Sequence, residues 1–114
     1  MVVRTLIEVR TRFEGVHHWP EAPEAVGFLR ALHRHEFHVT LRLAVTHDDR
    51  ELEFILVKRA LDQYLKGPWS ERVSCEQIAH AVLAWAKHTY GTRTGECSVL
   101  EDGENGAIVQ AHID

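Results

Sequence analysis

His33 and His35 stand as His-x-His at the head of an alternating run, Phe37, Val39, Leu41, Leu43 and Val45. The period of two is that of a half-buried strand. Side chains at i and i+2 share a face, so both imidazoles leave the strand with the apolar residues if the strand begins early enough. Two imidazoles so spaced can hold one metal ion. Zinc in tetrahedral geometry needs a third protein ligand and, for catalysis, an open fourth position. His17, in Phe13-Glu14-Gly15-Val16-His17-His18, supplies that third imidazole. Neutral imidazole suits zinc, and zinc so held acts as a Lewis acid on substrate oxygens.

The elements that must position these residues can be read from the pattern around them. Residues 2–13 alternate, with Val3, Thr5, Ile7, Val9, Thr11 and Phe13 on one face and Arg4, Glu8, Arg10 and Arg12 on the other. A strand with one polar side is expected there. Gly15 and His17 continue the parity of Phe13, which puts His17 on the buried side where the strand frays. Two prolines make residues 18–24 a loop. Residues 25–32 have room for a helical turn or two. The second strand is expected over 35–47, with a polar turn closing it.

The spacing then changes. Phe54, Val57, Leu61 and Tyr64/Leu65 define an amphipathic helix stopped by Gly67-Pro68. Ser74 caps a second helix, and Gln77 three places on completes a capping box. Ile78, Ala81, Val82 and Trp85 are its expected apolar face, and Gly91 its left-handed end. Residues 97–100 and 107–109 read as short strands around the turn 102–106. The order is strand, strand, helix, helix, strand, strand. An α+β fold satisfies it: a four-stranded antiparallel sheet with both helices on one face.

With 114 residues, a single domain over 1–114 is expected. A net charge of -4 and the absence of a Lys/Arg run give nucleic-acid binding no electrostatic support. No apolar stretch of about 18 residues is present, so no membrane-spanning helix is expected. The N-terminus lacks the layout of a signal peptide. Cys75 and Cys97 form no Cys-x-x-Cys pair, and a reduced, cytoplasmic protein is the expectation.

Phe-x-x-x-His followed by Leu-His-x-His-x-aromatic (Phe13 to His17, Leu32 to Phe37) resembles the 6-pyruvoyltetrahydropterin synthase / 6-carboxytetrahydropterin synthase family. Two more stretches carry the likeness. Ser74-Cys75-Glu76-Gln77-Ile78-Ala79 is similar to the family's Thr-x-Glu-Asn-x-Ala, and Leu61-Asp62-Gln63-Tyr64-Leu65 to its Leu-Asp-His-x-x-Leu. The element order is also that of the family's tunnelling fold.

The resemblance implies a catalytic zinc on His17, His33 and His35. It also implies a pterin held by Glu101 and Glu76, and a proton relay that includes Asp62. The implied substrate is 7,8-dihydroneopterin triphosphate or a related pterin, in tetrahydropterin or queuosine-type biosynthesis. The implied assembly is a homo-oligomer whose active sites lie between subunits. The chain departs from the pattern twice. Leu29 stands where the family has a cysteine, and Gln63 where it has the relay histidine; neither can act as a base. Glu21 or Glu24, Cys75 and His18 are the substitutes at hand, and Trp19 and Trp85 the rings a pterin can stack on. The alternative function is a catalytically degenerate zinc-containing pterin- or purine-binding or assembly protein of the same fold.

Overall fold

Two long strands dominate the fold, and both run further toward the histidines than the alternation alone indicated. The computed structural model describes residues 1–113. Strand β1 spans Thr5–His17 and β2 His33–Val45. They pair antiparallel without a break from Thr5↔Val45 to His17↔His33. His17 is therefore a paired strand residue and does not lie where the strand frays. Val3 is 76% exposed and precedes the strand rather than joining its buried face. Gly15 lets the far end close, since the Phe37 ring lies over it: a Cβ there would come 2.8 Å from Phe37 Cε2. A 3-10 stretch, Glu24–Arg30, fills the connection between the strands.

The helices are α1, Phe54–Leu65, and α2, Cys75–Tyr90. Glu53 caps α1 by accepting from Ile55 N and Leu56 N. The buried stripe of α1 is the four-residue series Val57, Leu61, Leu65. Phe54 lies one place off that series and is 54% exposed, contrary to its expected burial. Ser74 and Gln77 form the expected capping box on α2. The buried face of α2 is Cys75, Ile78, Ala79, Val82 and Ala86. Ala81 and Trp85 lie at its margin, with Trp85 stacked on Tyr64 at 5.4 Å. Gly91 ends the helix at φ 90°, but its ψ of 168° is extended rather than left-handed helical.

Strands β3, Gly95–Glu101, and β4, Asn105–Ala111, form the closing hairpin. Asp102 and Gly103, at φ 54° and 74°, make its turn. The sheet is open, antiparallel throughout, and ordered β1-β2-β3-β4. Both helices pack on the face formed by Val9, Val39, Leu41 and Val99, which share one core with Leu61, Ile78 and Val82. Burying each such side chain contributes about 1.5–3 kcal/mol. The opposite face is polar. There Arg42 donates to Glu8 and to Glu96, each at 2.7 Å, tying β1, β2 and β3 together. Among the described residues, no helix is long and apolar enough to cross a membrane.

Candidate metal centre

The strand register brings four possible ligands to one end of the sheet. His17 faces His33 directly, Gly15 faces His35, and Phe37 faces Glu101. All four side chains leave on the helix-covered side, just beyond the last core layer. Phe37 forms the floor, its ring 5.3 Å from that of His17 and 5.9 Å from that of His35. Ligand atoms of His17, His33, His35 and Glu101 all lie within 4.8 Å of one another.

Each imidazole is fixed through its Nδ1. His17 Nδ1 donates to the Val73 carbonyl at 2.7 Å, and His33 Nδ1 to the Ala31 carbonyl at 2.8 Å. His35 Nδ1 donates to Asp102 Oδ2 at 2.7 Å. Carbonyl and carboxylate oxygens accept, so each Nδ1 carries its hydrogen, and a ring so anchored has its Nε2 lone pair to offer a metal. Outward anchoring of this kind sets the tautomer and ring orientation of metal-bound histidines.

Of the three inward nitrogens, only that of His17 has a hydrogen-bond partner. His33 Nε2 and His35 Nε2 are buried without a hydrogen bond. His35 Nε2 lies 2.7 Å from Glu101 Oε2 without hydrogen-bond alignment, whereas His17 Nε2 is hydrogen-bonded to the same oxygen at 3.1 Å. Lone pairs this close repel unless a positive charge sits among them. A proton on an imidazole meets that need partly; a divalent cation meets it for all four groups. Three nitrogens and one carboxylate oxygen form a donor set suited to zinc.

Asp102 is the outer support. Its Oδ1 accepts the Glu36 N–H at 2.9 Å while Oδ2 holds His35. The Glu36 backbone bond and the His35 bond together hold its carboxyl below the usual range.

A cavity of about 740 Å³ opens beside the cluster. His17, His33 and Glu101 form one wall; Glu76, Cys75 and Gln77, from the start of α2, form another. His18, Trp19, Glu21 and Leu29 line the side facing the β1–β2 connection. Burial, helped by Glu101 and Glu76, pushes the Cys75 thiol up to about 12, so it stays protonated.

Of the residues expected to act, His17, His33, His35 and Glu101 meet, and Glu76 shares their cavity. Asp62 does not: it accepts from Thr11 Oγ1 and lines a separate groove with Lys66 and Trp69. Glu24 and Trp85 are also absent from the cavity wall. Glu101 stands closer to the histidines than a remote anchor would, within reach of a shared ion. Sequence reasoning passed over Asp102, which read only as a turn residue, and Arg72 and Asn105 on the cavity wall. The one available signal for Asp102 was its place beside Glu101. No family model matches the chain, and no curated protein matches it.

Proposed function

We propose that the chain is a zinc-dependent lyase of the pterin synthase kind, acting on 7,8-dihydroneopterin triphosphate or a related pterin. The observation that carries this reading is the convergence of three Nδ1-anchored imidazoles and Glu101 on the edge of a ligand-sized cavity. His17, His33 and His35 would hold the metal. Zinc bound there would polarise substrate oxygens and ease loss of neighbouring protons. Glu76 and Glu101 would accept N–H bonds from the ring edge, as carboxylates do from guanidine-like groups, leaving the fourth position of the zinc to substrate. Trp19, 48% exposed on the cavity wall, offers a surface for the ring.

The tunnelling fold, with subunits side by side and the site between them, is part of the proposal. Strands β1 and β4 are both sheet edges, and pairing them between copies would remove their exposed backbone groups. Such an assembly is also the route by which the partner subunit's Asp62 would approach the cavity, since within one chain it lies elsewhere.

A second reading is a zinc-containing pterin- or purine-binding or assembly protein without turnover. Two observations favour it: Leu29 presents a hydrocarbon to the cavity, and the Cys75 thiol is held protonated. Elemental mass spectrometry tests the shared premise. About one zinc per chain is expected, and its loss in His33→Ala; wild-type protein without zinc after purification in zinc would sink both readings. Mass spectrometry of the reaction mixture separates them. A released side-chain product that disappears with His33→Ala supports the lyase; stoichiometric binding without product supports the binding protein.

A further inference from the structure

Two demands fall on the Glu101 carboxylate. Its Oε2 lies 2.7 Å from His35 Nε2 and 3.1 Å from His17 Nε2, so it completes a cluster whose ligand atoms lie within 4.8 Å of one another. Two parallel N–H bonds from a ring edge need both oxygens of one carboxylate. An oxygen held among the imidazoles cannot meet both demands at the same time. All four groups belong to one chain and are set by the register of one sheet, so the conflict exists whatever neighbouring subunits add.

The fold fixes the backbone of Glu101 and leaves its carboxylate free to choose. The residue pairs with Phe37 and Asn105, and its carbonyl accepts the Glu104 N–H at 2.9 Å. Among the described residues the carboxylate pairs with no Lys or Arg, and its polar partners are those two imidazoles. Without an ion, the His17–Glu101 bond needs a proton on Nε2 while Nδ1 already donates to Val73, which makes the ring cationic. A divalent ion in that place satisfies the same contacts with neutral rings. Glu101 also lines the cavity, whereas His35 does not. A molecule in the cavity therefore meets the carboxylate before it meets that imidazole.

We infer that Glu101 is an exchangeable fourth ligand: it completes the zinc shell while the cavity is empty, and leaves the metal for the ring edge when a ligand enters. This rests on the pterin reading above and adds a resting state to it. The exchange swaps one oxygen donor on the metal for another and breaks no covalent bond. Only the side-chain torsions of Glu101 have to change, since its strand stays paired on both sides.

Cobalt(II) in place of zinc reads the shell directly. Four-coordinate cobalt absorbs far more strongly in the visible than five- or six-coordinate cobalt, and its bands shift when a donor changes. The full chain loaded with cobalt should show four-coordinate bands. Glu101→Gln and Glu101→Ala should each change those bands with circular dichroism unaltered. Each should also weaken zinc by at least about tenfold in chelator competition, the least that loss of an outer partner alone costs. Adding 7,8-dihydroneopterin triphosphate to the wild type should shift the bands over the concentrations at which calorimetry detects binding. Bands and zinc affinity unaltered in both variants would overturn the ligand role and leave the pterin reading intact. Binding by calorimetry without a spectral shift would overturn the exchange, again leaving the pterin reading intact. No binding at all, with the bands changed in both variants, would defeat the pterin reading and the exchange with it, and leave Glu101 as a fixed ligand.

Discussion

Asp102 ties two requirements of the site together: it orients His35 and clamps the β2 backbone at Glu36. Removing such an outer partner costs about 10–100-fold in metal affinity in comparable sites. Asp102→Ala should therefore weaken zinc by that order while the protein stays folded, as read by competition with a chromophoric chelator and by circular dichroism. Asp102→Asn, which keeps an acceptor for His35, should recover part of the loss; equal affinity in Asp102→Ala and wild type would refute the role. The three histidines were legible because strand alternation is local: parity alone puts His17, His33 and His35 on one face. Asp102 was not legible, because Asp-Gly in a turn satisfies local rules by itself. Its link to His35 spans 67 positions and exists only through the β2–β3 register. For Glu101 the residue pattern ended the strand at Leu100 and only the resemblance implied a ligand role; the pairing with Phe37 makes it a strand residue whose carboxylate meets the imidazoles.

At the scale of elements, periodicity and capping signals gave every strand and both helices, and pairing corrected their ends. β1 reaches His17 because each of its residues finds a partner in β2, which no single-strand pattern can state. Gly15 is the position where this matters most to the site. Gly15→Val would press on the fully buried Phe37 ring, the floor beneath His17 and His35. Overpacking of this kind costs about 1–3 kcal/mol. Denaturant unfolding should show that loss together with weakened zinc binding; unchanged stability would mean that the ring has somewhere else to go. The turn after β2 makes a pH prediction. Glu51 accepts from the Thr46 hydroxyl and backbone N–H and pairs with Arg93, and these contacts hold its carboxyl at about 2 against an ordinary 4.5. A depressed carboxyl contributes stability that is full above about 4.5 and is lost as pH falls toward about 2. The stability gap between wild type and Glu51→Gln should therefore be widest near neutral pH and close over that interval. A gap independent of pH would exclude an ionised Glu51 as its source.

At the scale of the molecule, the α+β architecture follows from element order, since a sheet with one apolar face needs both helices on that face. Ligand binding should couple to global stability. An ion bound only by the folded state raises stability by about 2.7 kcal/mol at a concentration of 100 times its Kd. Zinc should raise the melting temperature of the wild type and leave that of His33→Ala unmoved. A shift of equal size in both would place the zinc elsewhere.

The two halves of the sheet carry different burdens. Its middle holds the packed aliphatic layers, while the end at His17, His33 and Glu101 holds the cavity and little of the core beyond Phe37. Leu29, Glu21 and Glu76 line the cavity and are not among the fully buried side chains. The contents of the cavity can therefore change through its wall while the protein still folds.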